Sequence, residues 1–266
     1  MLYAGSKFIG SLRFRRLLRT AGIRLRINTN WRLYLLGLYY NLFLPGGVSG
    51  DGYKIVVLQQ AFRVGYRHLL RIAFLDRLNG LLILLLLAVL SGAFVPMHEL
   101  AAETFARAGA EAPAWLLRLL DAWLLWALPL WGLGYGAYAW GLSQWARSEQ
   151  SAAHRIGLHS LVVQGLQVIS VGVLVFAWGE QAATGAYVLL FLISSIATVL
   201  PLTLAGLGLR ELIFAAGAAT TAVRMETALS LGLVISAMHL VLAMVGLVFS
   251  FRGARLDAAA SPAASQ

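Results

Sequence analysis

Residues 78–95 are nearly unbroken hydrocarbon, and comparable apolar runs occupy residues 115–141, 161–178 and 229–251. Each reaches or approaches the roughly 20 residues an α-helix needs to cross a bilayer. The pattern therefore predicts spanning helices, with Arg118 and Asp121 interrupting the start of the second run. Two further apolar regions are shorter, and each is broken at its centre. Residues 33–44 and 55–62 flank the segment LPGGVSGDGYK, and residues 186–200 and 209–221 flank LPLTLAGLGLR. Both segments fit L-P-x-x-x-x-G-x-G-x-[K/R], 156 residues apart. At about 1.5 Å per residue the arms of the first are too short to span. Each region is predicted to be a hairpin that enters the membrane, turns at its Pro/Gly segment and returns, although two fully crossing arms in the second would give the same parity.

Composition agrees with this reading. Of 266 residues, 60% are hydrophobic and 12% charged, with a mean hydropathy of +0.77, whereas soluble domains carry about a quarter charged residues. No cysteine is present, which excludes disulfides and thiolate–metal sites. The start lacks the apolar core and small-residue cleavage site of a signal peptide.

Charge placement sets the topology. Eight basic residues lie between Lys7 and Arg32, with no acidic residue before Asp51. Beside membrane helices, they and the net charge of +10 read as a cytoplasmic flank under the positive-inside bias rather than a nucleic-acid surface. Arg63, Arg67, His68, Arg71 and Arg77 are inner as well; Glu99, Glu103 and Glu111 mark an outer loop. Arg147, His154 and Arg155 are inner, Glu180 outer, and Arg252 and Arg255 inner. Both termini are thus expected in the cytoplasm. The first hairpin enters from the inside and the second from the outside.

Two similar segments of opposite orientation are the signature of an inverted-topology repeat. Pro45 and Pro201 are expected to stop the incoming arms. Gly50, Gly52, Gly206 and Gly208 are expected to permit positive φ and close backbone approach. The helix starting after each turn then offers free N–H groups to an anion, with Lys54 or Arg210 adding full charge in its first turn. GxG spacing alone is weak evidence; the opposed topology, derived from other residues, strengthens it.

Ionisable residues at membrane depth are functional candidates. Asp51 is expected to pair with Lys54 or with a cation from the other half, and Glu211 either orients Arg210 or forms a structural ion pair with it. Asp76 and Arg77 read as interfacial anchors or as cavity residues. Gln164 and Gln167 share a helical face, where interhelical hydrogen bonding is the preferred role. Asn41 is placed to cap backbone groups freed before Pro45. No P-loop ending, HExxH spacing or dinucleotide fingerprint is present, so neither an enzyme nor a cofactor is expected.

The pattern N-x-x-L-P-G-G-x-x-G-D at 41–51, the Asp76-Arg77 pair, and L-P-L-T-x-x-G-L-G-x-R-E at 200–211 resemble the flippase-like transmembrane domain of lysylphosphatidylglycerol synthases and their stand-alone relatives. The resemblance covers roughly residues 10–250. It implies a multi-pass inner-membrane protein linked to translocation of phospholipids, polyprenyl-linked or hopanoid-type lipids. Ala205 stands where the family usually has Gly. Members usually carry about two more helices ahead of the basic segment, so the start reads as truncated or misassigned. The soluble aminoacyl-transfer domain of the synthases has no counterpart in the 15 residues after Phe251.

The expected architecture is all-α: a polytopic integral membrane protein with inverted-topology repeats and two re-entrant, broken-helix hairpins. Residues 1–30 form the basic cytoplasmic segment, 31–251 the flippase-like domain and 252–266 a disordered tail. The expected function is flipping of an anionic lipid or lipid-linked precursor through a midplane site. Its lining is expected to include Asn41, Pro45, Gly46, Gly50, Asp51, Gly52, Lys54, Arg77, Gln164, Pro201, Gly206, Gly208, Arg210 and Glu211. No metal is expected. The alternative is a non-transporting membrane partner that positions a separate lipid-modifying or glycosyl-transferring enzyme.

Overall fold

The computed structural model describes residues 1–43, 48–107, 109–145, 152–199, 208–221 and 223–251. Pro45, Gly46, Pro201, Gly206 and the tail from 252 lie outside the described residues. Eleven α-helices and a short 3-10 turn, with no strand, make up the described residues.

α1 (Leu2–Thr20) is followed by the hairpin α2 (Ile27–Phe43) and α3 (Ser49–Phe62), then by α4 (Tyr66–Gly92). α5 (Met97–Arg107), α6 (Ala114–Asp121) and α7 (Trp123–Trp145) form a connecting region. α8 (Ala152–Ala177), the hairpin α9 (Thr184–Ala197) and α10 (Leu209–Thr220), and α11 (Met225–Phe251) complete the chain. By length and apolarity α4, α8 and α11 can each cross a membrane, and α6 with α7, bent by 69° at their break, form either a fourth, broken span or a re-entrant loop. The protein is an all-α polytopic membrane protein.

Three predicted spans start earlier than their apolar runs. α4 begins at Tyr66, twelve residues before Leu78, because Arg67, His68, Arg71 and Arg77 continue the helix rather than precede it. α8 and α11 likewise begin nine and four residues early. The run at 115–141 is two helices, parted at Ala122.

The repeat is visible in the register. Displaced by 156 residues, α1 falls on 158–176, α2 on 183–199, α3 on 205–218 and α4 on 222–248, overlapping α8, α9, α10 and α11 in turn. The packing follows the same exchange. α2 packs on α11 as α9 packs on α4; α1 meets α2 as α8 meets α9; α3 meets α4 as α10 meets α11. α1 and α8, which exchange with each other, form an extensive mutual contact.

Two apolar clusters show that the halves are opposed. One contains Leu25 before α2, Ile55 and Leu58 of α3, and Leu69, Ile72 and Ala73 of α4. The other contains Tyr187 and Val188 of α9, Phe214 of α10, Val223, and Ala228 and Leu231 of α11. Each hairpin thus leaves and returns to its own cluster. Glu180 before α9 is ion-paired with Arg224 after α10, so the second hairpin comes back to the level at which it entered. None of the four arms exceeds 17 residues, about 25 Å of helix. Two opposed re-entrant hairpins are the result.

Residues 1–30, expected as a flank, contribute α1 to the interior of the bundle. It contributes Tyr3 to the second cluster and Phe14, Leu17 and Leu18 to the first. Its buried stripe also contains Ser6, Gly10, Ser11 and Arg13. Small residues let the helix approach α8 closely, and Arg13 enters because a carboxylate waits for it. A charge count cannot tell such an arginine from its solvated neighbours.

Candidate functional site

Between the two apolar clusters lies a polar layer. α1 crosses it at residues 10–13, α4 at 76–80 and α8 at 160–167, with apolar core on either side along each helix. A cavity of about 250 Å³ opens here. Its described lining brings together Asn41, Asp51, Lys54, Asp76 and Arg77 from the first repeat with Gln164, Gln167 and Arg210 from the second. Residues that the sequence separates by as much as 169 positions therefore share one space. Gly52, Gly208 and Glu211 are not part of that lining, and Gly50 sits beside it as a packing contact.

The first motif folds by close packing. Gly50 lies where α3 crosses α2: a β-carbon there would stand 1.9 Å from the carbonyl oxygen of Gly37. Gly52 has open space around it. Neither has positive φ, against the expectation; both are helical, because α3 starts at Ser49 rather than beyond the glycines. Among the motif glycines described, Gly208 alone adopts positive φ, at 83°. Asn41 does act as a cap, its Oδ1 accepting the backbone N–H of Gly50 at 2.8 Å.

Several N–H groups at the two helix starts already have acceptors within the protein. In α3 the N–H groups of Asp51 and Gly52 donate to the Val48 carbonyl, and Asp51 itself supplies the negative charge favoured there. In α10 the Gly208 N–H donates to Glu211 Oε2 at 2.8 Å, while Ser236 Oγ donates to Glu211 Oε1 at 2.6 Å. Glu211 thus caps its own helix and ties it to α11. Among the described residues it makes no ion pair with Arg210. The cavity also presents side-chain charge to a ligand.

That charge is organised around two aspartates. Asp51 is held by Lys54 Nζ at 2.6 Å and Arg77 Nε at 2.5 Å. Both partners come from the first repeat, and the Lys54 ammonium also lies over the Phe14 ring, 4.3 Å from its centre. Asp76 is gripped in a two-point fork by Arg13, Nε to Oδ1 at 2.7 Å and Nη2 to Oδ2 at 2.8 Å. Arg13 Nη1 donates to Ser160 Oγ at 2.9 Å, and Ser160 donates onward to Asn79 Oδ1. This network joins α1, α4 and α8, and both Asp76 and Arg77 line the cavity. Gln164 and Gln167 are buried and make no hydrogen bond among the described residues; they face the cavity instead of a neighbouring helix.

The sequence reading omitted Lys7, Arg13, Ser195, Thr198 and His239, all in the lining. For Lys7 and Arg13 a signal existed: at the 156-residue displacement both fall on the apolar α8. Among the described residues, no group of three His, Cys, Asp or Glu side chains is placed to hold a metal ion.

A family model described as the lysylphosphatidylglycerol synthase TM region matches residues 1–246. The chain belongs to that family. Neither a curated protein nor a solved structure matches it.

Proposed function

From that membership, which gives the chain a lipid-related role in a membrane, we propose that it translocates an anionic lipid or lipid-linked precursor across the bacterial inner membrane. The carrying observation is the cavity between the two hairpins: five cations, Lys7, Arg13, Lys54, Arg77 and Arg210, line it against two carboxylates, Asp51 and Asp76. A charged group at the centre of a bilayer costs several kcal/mol, and a polar cavity at that depth lowers the barrier. Its volume lies just below the ~300–1,000 Å³ usual for small-molecule pockets. It holds a head group while the acyl chains stay in the bilayer.

In this reading the basic segment after α1 and the start of α4 face the cytoplasm, and Glu180 and Arg224 face outward. Tyr3 then lies toward the outer side, which revises the expectation that the N-terminus shares the side of the C-terminus. Arg210 meets the head group directly, and Lys54, held by Asp51, contributes to the potential from the first repeat. Asn41, Arg77 and Gln164 also belong to the lining.

In proteoliposomes containing labelled phosphatidylglycerol, the protein is expected to equilibrate lipid between leaflets. Arg210→Ala is expected to slow this at least tenfold with unchanged thermal stability. An inactive wild type sinks the proposal and favours a role in positioning a partner enzyme. A fully active Arg210→Ala removes Arg210 from the site.

A further inference from the structure

The five cavity cations are not equivalent. Arg13 is matched by Asp76, and Lys54 and Arg77 share Asp51. Lys7 and Arg210 have no carboxylate within ion-pair distance among the described residues. The Lys7 ammonium rests 4.9 Å from the centre of the Tyr3 ring. Arg210 lies against the Phe191 ring, and its Nη1 is buried without a hydrogen-bond partner among the described residues. Tyr3, Lys7 and His239 bound one corner of the cavity, the His239 Nδ1 lying 3.3 Å from the Tyr3 hydroxyl, and Arg210 lines the same cavity.

Two neutral amides border the same space. Gln164 and Gln167, 8% and 7% exposed, make no hydrogen bond among the described residues. A buried donor without a partner, as Arg210 Nη1 is, is costly and rare, and the Lys7, Gln164 and Gln167 side chains that line the same cavity are further donors with no acceptor bonded among the described residues. They come from α1, α8 and α10 and thus converge from different sides. A carboxylate offers two oxygens to these donors, whereas a phosphate group offers more and carries the negative charge that the two unmatched cations favour.

We propose that Lys7 and Arg210, one from each repeat, bind a single phosphate group, with Gln164 and Gln167 as neutral donors. The inference rests on the cavity being a head-group site and assigns the contact to this corner. The Asp51 and Asp76 ion pairs form its wall. A phosphodiester on a lipid and a free phosphate share the required chemistry.

The test is calorimetric titration of the purified full chain in neutral detergent, with dihexanoyl phosphatidylglycerol, dihexanoyl phosphatidylcholine and inorganic phosphate as probes. Phosphatidylglycerol is expected to bind best. Lys7→Gln is expected to weaken it at least tenfold, Lys7→Arg less than threefold, and Gln167→Leu three- to tenfold. All three variants are expected to keep the wild-type melting temperature. Wild-type affinity in both Lys7→Gln and Gln167→Leu overturns the site, as does a wild type that binds no probe. Should Lys7→Gln fail to fold, Gln167→Leu and Lys7→Arg decide alone. Binding of inorganic phosphate without lipid keeps the site and makes free phosphate its ligand. Lys7-dependent lipid binding without scrambling upholds the site and rejects translocation.

Discussion

Asp76→Ala is expected to lose about 3–5 kcal/mol of stability, the cost of leaving one charge of a buried pair unmatched. The charge left behind is Arg13, 8% exposed and joined to Asp76 by both arms of its fork. Its remaining bond to Ser160 cannot neutralise it. The loss should appear as a melting temperature lower by many degrees in detergent, and as poor recovery from the membrane. Arg13→Met should behave similarly, by stranding Asp76. The double variant Arg13→Met/Asp76→Leu should recover much of the loss, because apolar replacement of a whole buried pair is often neutral. A double-mutant cycle in which the two losses simply add would show that the pair is not the linchpin between α1, α4 and α8.

Gly50→Ala is the second large effect expected. The new methyl would lie 1.9 Å from the oxygen and 2.7 Å from the carbon of the Gly37 carbonyl, and neither is a flexible side-chain end. α2 and α3 must separate, at a cost of about 1–3 kcal/mol or more. Separation also breaks the Asn41 cap and shifts Asp51 and Lys54, which follow within one turn. Stability and scrambling should therefore fall together. Gly52→Ala, two residues on, meets nothing within 4 Å and sits in a helix, where Ala is favoured by up to about 1 kcal/mol. It should be neutral or stabilising. Equal damage at both positions would mean that the motif needs glycine for a reason other than the α2–α3 crossing.

The sequence legibly placed the hairpins and the spans because apolar length and Pro/Gly interruption are local signals. The inverted order was legible too, since charge alternation records which loops share a side. Pairing was less accessible. Asp51 had two possible partners in the sequence, and Lys54, three residues away, is one of those it takes, the other being Arg77. Arg13 looked like one more residue of a basic flank because its partner is 63 positions away. Which glycine serves which expected role was hidden for a similar reason: Gly50 serves close approach and Gly208 positive φ. Whether a glycine serves φ or a helix crossing depends on what lies opposite, and nothing near Gly50 in the sequence announces Gly37.

The two repeats share a frame but not a charge pattern: Asp51 corresponds in register to Leu207, and Asp76 to Gly232. For a passive route this asymmetry governs dwell time and not direction. An anion resting at the Lys7–Arg210 corner sits in a well displaced from the symmetry axis, so the barriers to its two exits differ in height as seen from that well. The full crossings in the two directions nevertheless share their highest barrier, and detailed balance makes their rate constants equal between leaflets of equal lipid energy. One-sided chemistry in a two-sided frame thus tunes how long a head group lingers, while net flux needs an outside gradient or a reaction that consumes lipid on one side.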